Sequence, residues 1–247
     1  MKPATVTFSK LVDKLQQHYG CPAPPPPSTD PLELVIWENI AYLASDKRRA
    51  EAFATLKQTI GTRPEQILAA KHSALAASGK AGILPDVSAE KLLSIAKIAF
   101  EEFDSDLRSV LKKPLPQAKK ALKRFPSIGD PGAEKILLFT RSHPVMALDS
   151  NGLRVLCRVG FAEEQKGYSA TYRLVQDAIH GQLPRDYGFA DPGTPVAPAA
   201  RSRTVQAVKA ALHPMSGQRG LRLRSEGLIS GLPRVRDVPS EGNKWNM

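Results

Sequence analysis

Apolar side chains recur every three to four residues along most of the chain up to about residue 185, as they do on one face of an α-helix. The strongest pattern covers residues 89–103. No stretch shows the alternation typical of a half-buried strand, so the sequence predicts an all-α fold. Further helical patterns cover residues 6–19, 53–60, 105–112, 115–124, 131–140, 149–159 and 169–180.

Two segments carry helix-start signals. Asp30 is a favourable N-cap, Pro31 suits the first helical position, and Glu33 lies three residues after the cap. Residues 62–65, Thr-Arg-Pro-Glu, form a second start of the capping-box type. These signals predict one helix from residue 31 and a short helix just after residue 62.

Composition divides the chain into five parts. An N-terminal helix is predicted in residues 1–20, and a stiff proline-rich linker in residues 21–29, because proline lacks the amide hydrogen and fixes φ. A helical domain is predicted over residues 30–147 and a C-terminal helical part over 148–188. Residues 189–247 contain scattered prolines and glycines and an excess of basic residues, which predicts a disordered basic tail.

Charge favours a polyanionic partner. The 247 residues include 35 basic and 24 acidic side chains and carry a formal net charge of +11. The two cysteines, Cys21 and Cys157, exclude a disulfide framework and a cysteine-built metal site, and the histidines lack metal-ligand spacing. We therefore expect no metal. No apolar run could span a membrane and no signal segment is visible, so a cytoplasmic monomer is expected.

Residues 115–140 predict a helix-hairpin-helix, which can bind a DNA phosphate without reading sequence. One helix is expected to end at Phe125 and the next to begin at Asp130 or Pro131. Gly129 permits backbone conformations closed to other residues. The turn amides can point at an anion, and basic side chains flank them. The alternative is an ordinary joint in a helical bundle. The predicted DNA-binding residues here are Lys123, Arg124, Ser127, Ile128, Gly129 and Lys135.

Asp149 lies twenty residues after Gly129 and is placed to cap the following helix. A carboxylate at a helix N-terminus is stabilised as the anion. Beside a DNA-bound hairpin, such a charge would stabilise a developing sugar cation. A plain N-cap is the alternative role.

Together these motifs resemble the endonuclease III-like DNA glycosylases, the helix-hairpin-helix superfamily with a Gly/Pro-rich hairpin and a catalytic aspartate. Residues 125–129, Phe-Pro-Ser-Ile-Gly, with Ala133, approximate the family's hairpin. The segment at Leu148-Asp149-Ser150, with Arg154 and Val155, approximates its aspartate motif. The resemblance covers about residues 30–185. It implies a six-helix domain containing the hairpin, a smaller helical domain built from both termini, and Asp149 as the catalytic residue.

Two hairpin positions depart from the family pattern. Pro131 occupies the slot in which bifunctional members carry a nucleophilic lysine, so Schiff-base chemistry through that position is excluded. Ser127 replaces the first hairpin glycine, which predicts a looser phosphate turn. Leu43 falls where relatives place a loop that fills the gap left by a flipped base, so we take it as an apolar wedge, with core packing as the alternative.

Many relatives end in an iron–sulfur loop, Cys-x6-Cys-x2-Cys-x5-Cys, whose ligands this chain lacks, so no cofactor is expected. Read one nucleotide later, however, the junctions at Val205, Leu212, Met215 and Leu221 permit cysteine codons with that spacing. We interpret residues 189–247 as the product of a frameshift near residues 188–195. Sequencing of the locus tests this hypothesis.

The leading hypothesis is a DNA-repair N-glycosylase that binds double-stranded DNA, flips a damaged base and hydrolyses its glycosidic bond without lyase chemistry. One alternative is a non-catalytic helix-hairpin-helix DNA-binding module. A second is a helical scaffold that does not bind DNA.

Overall fold

A computed structural model describes residues 7–19, 26, 28–41, 43–143, 145–148 and 150–180. The described residues form helices and turns without a strand, which confirms the all-α prediction. The helices are α1 (Phe8–Tyr19), α2 (Pro31–Asn39), α3 (Asp46–Thr59), α4 (Pro64–Ala69), α5 (His72–Ser78), α6 (Pro85–Phe103), α7 (Leu115–Leu122), α8 (Asp130–Phe139), α9 (Ser150–Arg158) and α10 (Tyr168–His180).

The chain divides into two compact units. Unit 1 combines Met1–Pro24 with Leu148–Met247, and unit 2 is Pro25–Ala147. Most of the proposed linker and all of the proposed tail lie outside the described residues. Within the described ranges, no helix combines the length and apolar character needed to cross a membrane.

Unit 2 is organised around α6, which packs against α2, α4 and α5. Leu92, Ile95 and Ala99 of α6 are fully buried, as the period of residues 89–103 predicted. Helix α2 carries apolar side chains on almost all of its faces, and most of them are buried in the same core. Its start is confirmed: Oδ1 of Asp30 accepts hydrogen bonds from the amides of Leu32 (3.0 Å) and Glu33 (3.2 Å).

Unit 1 joins segments from both parts of the sequence. Phe8 of α1 is 1% exposed and meets Phe161 edge to face, with ring centroids 6.1 Å apart. Helices α9 and α10 pack together, and Leu156, Val175 and Ile179 are buried. The N-terminal helix is therefore a structural part of the unit that contains the C-terminal helices.

Two local predictions were wrong, and one helix was not predicted. Residues 105–112 form only a short 3-10 turn, Val110–Lys112, because Asp104 and Ser105 adopt left-handed φ values of 49° and 62° and turn the chain after α6. The cap of α4 is Arg63 rather than Thr62, whose hydroxyl instead donates to Glu33 (2.8 Å). Helix α5 was not predicted, since its alanine-rich sequence shows little apolar period.

Candidate nucleic-acid interface

The hairpin consists of α7, the turn at residues 123–129, and α8. The chain leaves α7 at Lys123, two residues before the predicted end. Phe125 is 2% exposed and stacks on Phe103 of α6, with ring centroids 5.5 Å apart. Ile128 is also buried. These two side chains anchor the turn in the core of unit 2.

Burial changes what Ile128 can do. Its side chain packs inside the unit, and its amide donates to the carbonyl of Phe125 (3.3 Å). In this conformation the Ile128 amide is therefore used within the turn, and its role in DNA binding stays a prediction. By contrast, the amides of Gly129 and Asp130 have no acceptor among the described residues. Because α8 begins there, these amides form the positive end of its dipole.

The special backbone conformation lies at Ser127, not at Gly129. Ser127 has a φ of 59°, in the left-handed region that favours glycine. Gly129 has φ −92° and ψ −168°, which any residue can adopt, so the predicted conformational reason for this glycine is wrong. A Cβ built at Gly129 would meet only Cδ of Pro131, at 3.8 Å. Position 129 is thus open in the free chain, and the serine at 127 keeps a glycine-like turn.

Each of the three cations predicted to flank the hairpin contacts a carboxylate of unit 2. The Arg124 guanidinium forms a two-pronged pair with Glu102 at 2.6 and 3.0 Å, and this hydrogen bonding lowers the pKa of Glu102. The ammonium of Lys135 lies 2.6 Å from Oε2 of Glu38. The other pair joins Lys123 to Asp130. In the free chain, these cations are therefore partly neutralised.

The ionic contacts of two acidic residues in the hairpin were not predicted from the sequence. Asp130 and Glu134 lie four residues apart on α8, and Lys119 and Lys123 lie four residues apart along α7 and its C-cap. Lys119 contacts both carboxylates, at 3.2 and 2.6 Å. This complementary i, i+4 spacing was visible in the sequence and could have identified the cluster.

Leu43 lies in the turn between α2 and α3 and is strongly exposed. At 71% it is the most exposed large apolar side chain among the described residues. Its φ of 57° places the backbone in the left-handed region, which is unfavourable for leucine. The alternative role as a core residue is excluded by this exposure.

Asp149 lies outside the described residues, so its geometry stays a prediction. Ser150, the next residue, is the first residue of α9. Positions 205, 212, 215 and 221 also lie outside the described ranges. Within those ranges, no group of three His, Cys, Asp or Glu side chains is arranged to hold a metal ion.

Unit 1 contains a small, shallow surface pocket between α9 and α10. Cys157 is one of its lining residues, and burial, with a contribution from the charge of Glu164, raises the pKa of this thiol to about 11. A thiol with so high a pKa is almost fully protonated at neutral pH, so it is a poor nucleophile. The other lining residues are Ser150, Leu153, Arg154, Glu164, Tyr168 and Thr171.

No family model matches the chain, and no curated protein matches it in sequence. The structure is nevertheless similar to that of endonuclease III in a trapped covalent intermediate with DNA, with 13% identity, 83% of this chain and 85% of that chain covered, and a TM-score of 0.58. A thermostable thymine-DNA glycosylase gives 14% identity, 91% and 94% coverage, and a TM-score of 0.65. The structure is also similar to that of 3-methyladenine DNA glycosylase of H. pylori bound to 1,N6-ethenoadenine. Here the identity is 12%, 87% of this chain and 99% of that chain are covered, and the TM-score is 0.61. The chain therefore has the endonuclease III-like helix-hairpin-helix fold.

Proposed function

We propose that the protein is a DNA-repair glycosylase that binds double-stranded DNA, extrudes a damaged base and hydrolyses its N-glycosidic bond. The observation that carries this proposal is the hairpin. Ser127 keeps a left-handed turn, and the amides of Gly129 and Asp130 are unpaired among the described residues. The same overall fold occurs in endonuclease III, in a thymine-DNA glycosylase and in a 3-methyladenine DNA glycosylase.

The proposed DNA contact is a single backbone phosphate at the start of α8. Unpaired amides and the helix dipole both favour an anion there. Gly129 has no neighbour that prevents a phosphate from approaching its Cα, since only Pro131 Cδ would lie within 4 Å of a Cβ. A methyl group at position 129 should fit the free fold but obstruct this approach. Contacts of this kind position the protein on DNA without specifying a sequence.

The proposed chemistry is hydrolysis without a hairpin amine. Pro131 cannot attack the sugar, and Lys119, which contacts Asp130, does not supply a neutral amine readily. Burial disfavours the charge on Lys119, but hydrogen bonds to Glu134 and Asp130 outweigh this and raise its pKa. Lys119 therefore stays protonated at neutral pH. This supports a monofunctional glycosylase.

Asp149 is the proposed catalytic residue. Its carboxylate would stabilise the oxocarbenium-like sugar as the glycosidic bond breaks, and would orient or deprotonate the attacking water. Leu43 would enter the base stack as the damaged nucleotide leaves it. An exposed apolar side chain on a strained turn supports this role, because a flipped base leaves a gap that an apolar wedge can fill.

A panel of duplexes tests the proposal. The panel carries oxidised pyrimidines, mispaired adenine, mispaired thymine, uracil, 3-methyladenine or 1,N6-ethenoadenine, each as a single lesion. Products are analysed with and without alkali, and borohydride is used to trap a Schiff base. Strand breaks that appear only after alkali, with no trapped complex, are the expected result for at least one lesion.

A separate binding assay tests the hairpin. Gly129→Ala should retain the wild-type thermal stability and weaken binding to a labelled duplex about tenfold. Salt-sensitive binding of every duplex, without base release from any, would instead indicate the non-catalytic DNA-binding module. A chain that binds no duplex would indicate the helical scaffold.

A further inference from the structure

The hairpin carries a four-membered charge cluster whose effect on DNA affinity the proposed function leaves open. Lys119 and Lys123 come from α7 and its C-cap, and Asp130 and Glu134 come from the first half of α8. Two ammonium groups face two carboxylates, so the cluster has no net charge. Its first acidic member, Asp130, directly follows Gly129 and so lies beside the proposed phosphate position.

The two lysines are held differently. The ammonium of Lys119 lies 2.6 Å from Oε1 of Glu134 and 3.2 Å from Oδ1 of Asp130, and the side chains of Lys119 and Glu134 are only 22% and 8% exposed. Lys123 is 44% exposed and lies 3.3 Å from each oxygen of Asp130. Distances of 3.3 Å are long for a charged hydrogen bond. Lys123 is thus the outer and more weakly held partner.

Asp130 keeps a partner if Lys123 departs. Lys119 remains bonded to Asp130 and is itself fixed by the buried Glu134. Burial disfavours ionisation of Asp130, but its contacts with Lys119 and Lys123 outweigh this and lower its pKa, so the carboxylate is charged at neutral pH. That charge lies in the first turn of α8, where it repels an approaching phosphate.

We propose, building on the function proposed above, that Asp130 is a positioning residue that sets the DNA affinity of the hairpin. Its carboxylate holds the Lys123 ammonium in the free protein and releases it to a DNA phosphate on binding, while Lys119 stays on the carboxylate. The acidic residue therefore weakens binding to undamaged DNA without removing the phosphate site.

Fluorescence anisotropy with a labelled, undamaged duplex over a series of salt concentrations tests this inference. Asp130→Asn should bind about five- to tenfold more tightly than wild type at low salt, and the plot of log affinity against log salt should be steeper by up to about 0.9. Asp130→Glu, which keeps the charge, should bind like wild type. Glu90→Gln is the control, because it changes the net charge equally on the exposed face of α6. Thermal melting checks that each variant is folded.

Combination with Lys123→Gln tests whether Asp130 acts through Lys123. The increase in DNA affinity caused by Asp130→Asn should be smaller when Lys123→Gln is also present. An increase of full size in that double variant would overturn the inference. The inference would also fail if Asp130→Asn bound DNA no more tightly than Glu90→Gln. Either result leaves the glycosylase proposal intact if wild type still releases a base. If neither wild type nor Asp130→Asn binds DNA, both proposals fail.

Discussion

The ammonium of Lys135 lies 2.6 Å from Oε2 of Glu38, and this ion pair joins α8 to α2 within unit 2. The two side chains are only 19% and 15% exposed. A carboxylate so poorly hydrated depends on its partner for stabilisation. In the free chain, Lys135 therefore connects the hairpin to the core, in addition to any role at a DNA surface.

Lys135→Ala should lower the free energy of unfolding by about 2 kcal/mol, because Glu38 is left partly buried without its cation. Chemical unfolding with urea measures this. Lys120→Ala is the matched control, since Lys120 is exposed and has no ion-pair partner among the described residues. Equal stabilities of the two variants would show that the pair contributes nothing beyond a surface contact.

Ser127→Gly should raise the free energy of unfolding by about 0.5 kcal/mol. Glycine removes the strain of the left-handed conformation, and part of this gain is offset by the greater entropy of the unfolded chain. Ser127→Val should lower stability by about 1–2 kcal/mol, because a β-branched residue is disfavoured at positive φ. Urea unfolding of both variants checks the order Gly above Ser above Val. A valine variant as stable as wild type contradicts the assigned turn.

Leu43→Ala should change the free energy of unfolding by less than about 0.5 kcal/mol, since the side chain is 71% exposed. If Leu43 fills the gap left by the flipped base, the same variant should slow base release at least about tenfold. Leu68→Ala serves as the control, because Leu68 is also an exposed leucine of unit 2 but lies on α4. Equal rates for the two variants would remove Leu43 from base extrusion.

Protonation of the Glu33 carboxylate should make unit 2 less stable in acid. Burial disfavours its charge, but hydrogen bonds from Lys57, Ser28 and Thr62 outweigh this and lower its pKa below the usual value for glutamate. A carboxyl group with a lowered folded-state pKa contributes stability above its unfolded-state pKa and loses that contribution as pH falls through the folded-state value. Thermal melting between pH 6 and pH 3 should show a smaller loss for Glu33→Gln than for wild type. Glu51→Gln, on the exposed face of α3, should behave like wild type.

Local signals made much of the fold predictable. Asp30 caps α2 through contacts within three residues, and the period of residues 89–103 directly encodes the buried face of α6. The partners of Arg124 and Lys135 were not predictable in this way, because they lie 22 and 97 positions away in the sequence. Such pairs depend on how helices pack, which single-helix patterns do not contain.

In the hairpin, too, some features were predictable from local sequence and others depended on packing. Its place in the sequence followed from the turn residues, but the assignment of the left-handed position to Gly129 was wrong, because the turn reaches that conformation two residues earlier. The hydrogen bond of the Ile128 amide to the Phe125 carbonyl was not visible in the sequence either. The turn residues themselves predicted where the hairpin lies. The direction of each amide depends instead on how Phe125 and Ile128 are buried, which the turn sequence does not show.

We expect Asp149 to catalyse cleavage of the glycosidic bond, and single-turnover kinetics of base release measure its contribution. The measurement uses the lesion duplex that gives the largest alkali-dependent signal, with enzyme in excess and with DNA affinity measured in parallel. Asp149→Asn should bind this duplex with nearly wild-type affinity and release the base at least about 100-fold more slowly. Asp177→Asn, an exposed aspartate on α10, should release it at the wild-type rate. Base release by Asp149→Asn at the wild-type rate would contradict the claim.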